Sequence, residues 1–241
     1  MTLDGQKIVV IGGSSGMGLA TARAAALNGA KVTIASSRQE RVDAALSELP
    51  EGCAGTALDV RDESQVAALF EGVGDLAHVV FTAGDSFTPR RLADVGLSNA
   101  RAVLDVRFWG AVTVIKHASR RIRPGGSIAL TTGTIGQRPM PGAALAAAGA
   151  GAAEGLVRGL AVELAPVRVN AVRAGAVRTP LWDAIPQPQR EATFTRMAQR
   201  TLTGTIGEPE QIATAHMYLM QNEYVTGTVL TVDGGLLLAA G

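Results

Sequence analysis

Seven short runs of β-branched and apolar residues recur along the chain, separated by longer Ala-rich stretches. That alternation constrains the fold more than any single motif. The runs are KIVVIG (7–12), KVTIAS (31–36), GTALDV (55–60), HVVFTA (78–83), SIALTT (127–132), VRVNAV (167–172) and TVLTVD (228–233). Helical stretches fall at about 14–29, 39–48, 63–72, 98–121, 143–165 and 208–221. Continuously apolar runs predict strands buried on both faces, the pattern of a parallel sheet. Right-handed crossovers then give a doubly wound α/β domain: seven parallel strands with helices on both faces. A chain of 241 residues suffices for one such domain, and no repeat or linker divides it. The segment 181–205 is the one long stretch without strand character. It reads either as a substrate lid or as a packed surface helix pair.

Composition narrows the function. The formal charge is +1 and no basic block stands out, which argues against nucleic-acid binding. A single cysteine, Cys53, excludes a disulfide framework and a thiolate metal cluster. His78, His117 and His216 lack metal-ligand spacing and read as surface or packing residues. The first apolar run, IVVIGG, is too short for a membrane span and is not preceded by a basic region, and no signal peptide is visible. A cytoplasmic setting, a small-molecule substrate and no metal are therefore expected.

The first strand runs into GGSSGMGLA. Gly12, Ser14, Ser15, Gly16, Met17 and Gly18 form a glycine-rich strand-to-helix turn. Such a turn lets backbone N–H groups approach a pyrophosphate, and the positive end of the following helix favours its charge. The context makes the domain Rossmann-like. After the second strand stand Ser36, Ser37 and Arg38, where an NAD-preferring site places an acid. Hydroxyls and a guanidinium suit a 2′-phosphate, so the expected cofactor is NADP(H). The alternative is that Arg38 is a solvated residue at a helix start.

From end to end these motifs resemble the short-chain dehydrogenase/reductase family. GGSSGMG is similar to its cofactor turn. LDVRD is similar to its adenine-side Asp-Val, here Asp59 and Val60. TAG stands where the family has Asn-Ala-Gly, placing Thr82, Ala83 and Gly84 at the cofactor. LAVELAPVRVNAVRAGAVRTPL resembles the sixth-strand region, with Gly175, Val177 and Thr179 toward the nicotinamide, although the family's Pro before that Gly is Ala174. The resemblance also implies a homodimer or homotetramer paired through the helices at about 98–121 and 143–165.

The resemblance further implies an Asn, a Ser, a Tyr and a Lys that catalyse carbonyl reduction. In register, VRFWG puts Arg107 at the Asn position, and counting back from Gly136 puts Gly133 at the Ser position. Counting back from AEGL puts Ala150 at the Lys and Ala146 at the Tyr. Slippage does not rescue the pattern, because 141–153 holds no Tyr, Lys, Ser or Thr. Tyr218 and Tyr224 lie far along the chain.

Arg107 could hold the nicotinamide ribose or an oxyanion, but a guanidinium is a poor proton donor. Thr132 and Thr134 could orient a substrate, and Asp85 or Glu154 could supply an acid. Hydride delivery to an iminium or conjugated carbonyl survives the loss of a tyrosine better than ketone reduction does. The expectation is an NADP(H)-dependent oxidoreductase with a non-standard active site. A silent NADP-binding sensor or partner subunit, and a non-redox catalyst using NADP structurally, stand as alternatives.

Overall fold

A computed structural model describes residues 2–84 and 89–239. Its strands are β1 (Lys7–Ile11), β2 (Lys31–Ser36), β3 (Ala54–Ala57), β4 (Leu76–Phe81), β5 (Ile122–Gly133), β6 (Arg168–Ala174) and β7 (Val229–Val232). They form one sheet in the order β3-β2-β1-β4-β5-β6-β7, and every neighbouring pair is parallel. The doubly wound expectation is met. The strand order reverses between β1 and β4, and in such sheets ligands bind at the carboxyl ends beside that point.

Alternate side chains of each strand feed two apolar layers. Val9 and Ile11 of β1 face α3 (Glu63–Val73), with Phe70 and Val66, and the later helices of that side. Ile8 and Val10 face α1 (Gly16–Leu27) and α2 (Gln39–Glu48). The central strand β4 is buried throughout, as its LAHVVF composition requires.

The stretch expected as one helix over 98–121 is interrupted. It comprises α4 (Leu97–Ala102), a π-helical turn (Asp105–Gly110) and α5 (Ala111–Ala118). Phe108 N and Trp109 N both donate to Leu104 O, each at 3.0 Å, so the backbone takes up one extra residue. The turn brings Gly110 against Val60, where an added Cβ would lie 2.5 Å from Val60 Cγ2. Helix α6 (Ala144–Glu163) is uninterrupted and packs on the sheet through Ala153, Glu154 and Val157.

The segment 181–205 contributes one helix of any length, α7 (Gln187–Ala198), after a 3₁₀ turn (Pro180–Trp182). It is pinned to the body. Phe194 is buried, Trp182 meets it edge-on at 5.8 Å, and the Arg178 guanidinium lies 4.4 Å over its ring. Helix α8 (Pro209–Gln221) completes the second layer and carries the fully buried His216.

Candidate functional site

A cleft opens at the carboxyl ends of β1, β2 and β4. It is lined by the glycine turn, Ser36 and Ser37, Asp59 and Val60, Thr82–Ala83–Gly84, Arg107 and Thr179. The local sequence explains the turn. Gly12 has φ +83°, and a Cβ there would lie 2.6 Å from Ala83 N. A Cβ on Gly18 would lie 2.2 Å from Gly12 O, so strand and helix meet only with glycine at both positions. Ser15 is the N-cap of α1 and makes no side-chain cap bond, so its hydroxyl occupies none of the first-turn N–H groups. Ser14 Oγ donates to Ser36 Oγ at 2.7 Å, tying the turn to the end of β2. Thr82 Oγ1 donates to Ile11 O and Gly12 O, tying it to β4. Open N–H groups at a helix start and a turn with no room for a Cβ fit a pyrophosphate.

Two arginines stand near the end of the cleft beside β2. Arg38 is the extended N-cap of α2 and is exposed. Arg41, one helical turn on, lines the cleft. Arg61 also lines the cleft and was not singled out from the sequence. Its guanidinium forks onto Asp59, with Nε–Oδ1 at 3.0 Å and Nη2–Oδ2 at 2.6 Å. That side-chain hydrogen bond holds the Asp59 carboxyl below the usual carboxylate range. Two other residues expected at the cofactor are held by neighbouring elements. Gly175 packs on Asp233, whose Cα would lie 2.7 Å from an added Cβ, and Val177 is buried in a bridge to Gly207.

At the reaction end, Arg107 rises from the π-turn over Gly84. A Cβ on Gly84 would lie 2.5 Å from the Arg107 Cζ, so this guanidinium rests directly on the glycine backbone. Gly133 ends β5, and a Cβ there would meet nothing nearer than 3.8 Å. Ala146 and Ala150 lie on α6, four residues apart and thus on one face. A Cβ on Gly136 would lie 3.0 Å from that of Ala150, which fixes the loop after β5 against this face.

The threonines divide between environments. Thr131 turns to the opposite side of the sheet and meets His216 Nε2 at 3.1 Å. Thr132 Oγ1 donates to Glu154 Oε1 at 3.3 Å, and Thr134 is buried in the following turn. Glu154 is no free acid. Arg173 of β6 grips it with Nε–Oε1 at 2.8 Å and Nη2–Oε2 at 2.7 Å, in a pair only about a tenth exposed. The carboxylate holds the Arg173 guanidinium above the usual arginine range. Asp85 lies outside the described residues. A larger cavity, about 970 Å³, opens near the amino ends of β1 and β2 and carries none of these groups.

Comparison with known proteins places this geometry in context. A family model described as an SDR-like rossmann domain matches residues 2–239. The short-chain dehydrogenase/reductase ucsE of Acremonium sp is 36% identical, covering 98% of this chain and 97% of its own length. The short-chain dehydrogenase/reductase malC of Malbranchea aurantiaca is 34% identical, covering 98% and 96%. Among solved structures, the MalC Reductase/Diels-Alderase from Malbranchea aurantiaca superposes with a TM-score of 0.91 at 33% identity, covering 98% of both chains. A small-chain dehydrogenase in complex with NADPH superposes with a TM-score of 0.85 at 35% identity, covering 98% of this chain and 100% of that one. Sheet order, glycine turn and full-length similarity agree, and the chain belongs to the short-chain dehydrogenase/reductase family of oxidoreductases.

Proposed function

We propose that this chain is an NADP(H)-dependent reductase of an activated electrophile, an iminium ion or a conjugated carbonyl, in place of a simple ketone. One observation carries the reading. The cleft is lined by the glycine turn, Ser36, Ser37, Asp59, Thr82 and Arg107, while Gly133, Ala146 and Ala150, where the family resemblance implies the catalytic groups, carry no acid or base. A relative crystallised with NADPH and another named a Reductase/Diels-Alderase support it.

NADPH, when bound, would supply the hydride. The chain's own residues bind and orient. The N–H groups of 14–18 would hold the pyrophosphate, and Ser36, Ser37, Arg38 and Arg41 the 2′-phosphate. Arg107, packed on Gly84, would fix the nicotinamide ribose and meet negative charge developing on a conjugated carbonyl. A positioned general acid contributes about 10²–10⁴-fold, so its loss cripples ketone reduction. An iminium already carries its charge and forms no alkoxide, so it forgoes less. Thr132 and Thr134 would orient the substrate, and two alanines leave a roomier, apolar face. The segment 181–205 would act as a lid whose anchor is Phe194.

A second reading is non-redox cycloaddition in the same apolar space, favoured by the Reductase/Diels-Alderase similarity. We also propose a cytoplasmic homo-oligomer, supported by the exposed, small-residue stripe Ala148, Gly151, Gly155, Gly159 and Val162 of α6.

The test is NADPH oxidation across ketones, enones and cyclic iminium ions. The expected result is iminium or enone turnover with ketones slower by about 100-fold or more. Ketone turnover near the common ~10 s⁻¹ overturns the reading. Tight NADPH binding without turnover of any substrate favours a silent sensor.

A further inference from the structure

The cavity of about 970 Å³ near the amino ends of β1 and β2 takes no part in the proposed reduction. Leu58 is the one residue that lines both it and the carboxyl-end cleft. One wall is the sheet face of β2 and β3, with Thr33, Ala54 and Thr56. The other is α3, with Leu69, Gly72 and Val73. Helix α3 buries Val66 and Phe70 in the core, while Leu69 and Val73, four residues apart on one helix face, stay only half-buried along the trough. Lys7 of β1 and Lys31 of β2 also line the cavity. They are direct cross-strand partners, so both rise from one sheet face on strands about 4.8 Å apart. Lys7 Nζ donates to Val73 O at 2.8 Å, which holds the ammonium at the trough and leaves two of its three donors. Neither lysine makes an ion pair among the described residues, although Glu51 lines the same cavity.

We propose that this cavity binds an amphipathic monoanion, an aliphatic carboxylate, independently of the carboxyl-end cleft. The carboxylate sits between Lys7 and Lys31, and the alkyl chain lies along Leu69, Gly72 and Val73. Charge and shape both select this occupant. Like charges directly opposite one another destabilise a sheet, so an anion between the two ammonium groups relieves a repulsion that the protein itself leaves uncompensated. An ion of that sign gains charge-assisted hydrogen bonds from both lysines. The rest of the trough presents alkyl groups and helix backbone, which offer an inorganic anion nothing and an alkyl chain a surface to cover. A cavity of this volume, mostly apolar with a few convergent polar groups, has the make-up of a small-molecule site.

Isothermal titration calorimetry on the full chain, with and without NADPH, tests this. The probes are decanoate below its micelle concentration, decanol and acetate. Decanoate is expected to bind once per chain in either condition. Decanol should bind about fivefold more weakly, because it forgoes the ion pairs, and acetate about 100-fold more weakly or worse, because it lacks the chain. Lys31→Gln should weaken decanoate by about fivefold and leave decanol unchanged. A Cβ on Gly72 meets no atom within 4 Å, so Gly72→Phe is accommodated and fills the trough. It should weaken decanoate and decanol alike by about tenfold or more. Melting temperatures within a few degrees of the wild type check that both variants fold. No decanoate binding, binding no tighter than that of decanol, or binding unchanged in either variant overturns the proposal. Displacement of decanoate by NADPH also overturns it, because the carboxylate then occupies the carboxyl-end cleft.

Discussion

Mild acid should unfold this protein through two buried histidines. His216, fully buried on α8, contacts Thr21 Oγ1 through Nδ1 at 3.0 Å and Thr131 Oγ1 through Nε2 at 3.1 Å. Thr21 donates its one hydroxyl proton to Met17 O at 2.7 Å, so it accepts from His216 Nδ1–H, and Nε2 accepts from Thr131. The neutral imidazole satisfies both partners. Burial lowers its pKa from 6.5 to about 4. His78 sits between Ser127 Oγ at 2.8 Å and Gln6 Oε1 at 2.9 Å, and burial, with repulsion from Arg168 and Arg123, lowers it to about 3. Both folded values lie below the unfolded one. Stability from these groups is therefore present above pH 6.5 and is lost as pH falls toward 4 and 3, because the unfolded chain takes up protons first. Each histidine contributes up to about 1.4 kcal/mol per pH unit, so two give a slope near 2.7 and a loss of about 5 kcal/mol by pH 4.5. The depressed carboxylates Asp59, Asp62 and Glu63 add a slope of the same sign only as pH nears their unfolded values of about 4, so the histidines dominate between about pH 6 and 5. Urea unfolding between pH 7.5 and 4.5 measures the slope. In His216→Leu the orphaned Thr131 lowers stability at every pH, but the slope should halve to about 1.4 kcal/mol per unit. A wild-type slope below about 1, or an unchanged slope in the variant, would refute the burial argument.

Three further outcomes are expected. Arg173→Met strands the Glu154 carboxylate and should cost about 3–5 kcal/mol, lowering Tm by about 10 °C in calorimetry, while adding Glu154→Leu should recover most of the loss. Gly18→Ala places a Cβ 2.2 Å from Gly12 O, so the turn must open, and NADPH affinity in a fluorescence titration should fall on the order of tenfold or more. Ala146→Tyr with Ala150→Lys restores an acid and a cation on one helix face and should raise NADPH-dependent ketone reduction by about 100-fold; no gain would show that the register assigned to α6 is wrong.

The sequence by itself determined the order of strands and helices, the parallel sheet and the glycine turn, because apolar periodicity and turn chemistry are local properties. It also determined that no Tyr or Lys stands at 146 or 150, since a missing side chain stays missing in any fold. Tertiary structure decided the rest. The π-turn under Arg107 follows from Gly110 needing to reach Val60, a contact across fifty residues of chain that periodicity cannot register. That Arg41 lines the cleft follows from the phase of α2 against the sheet ends, which the sequence alone does not give. Glu154 looked available from its position one turn beyond Ala150. Packing α6 on the sheet put Arg173 of β6 within 2.7 Å of it and left no free acid there. The charge state and reach of a polar group depend on partners distant in sequence, and those partners are chosen only when the layers close.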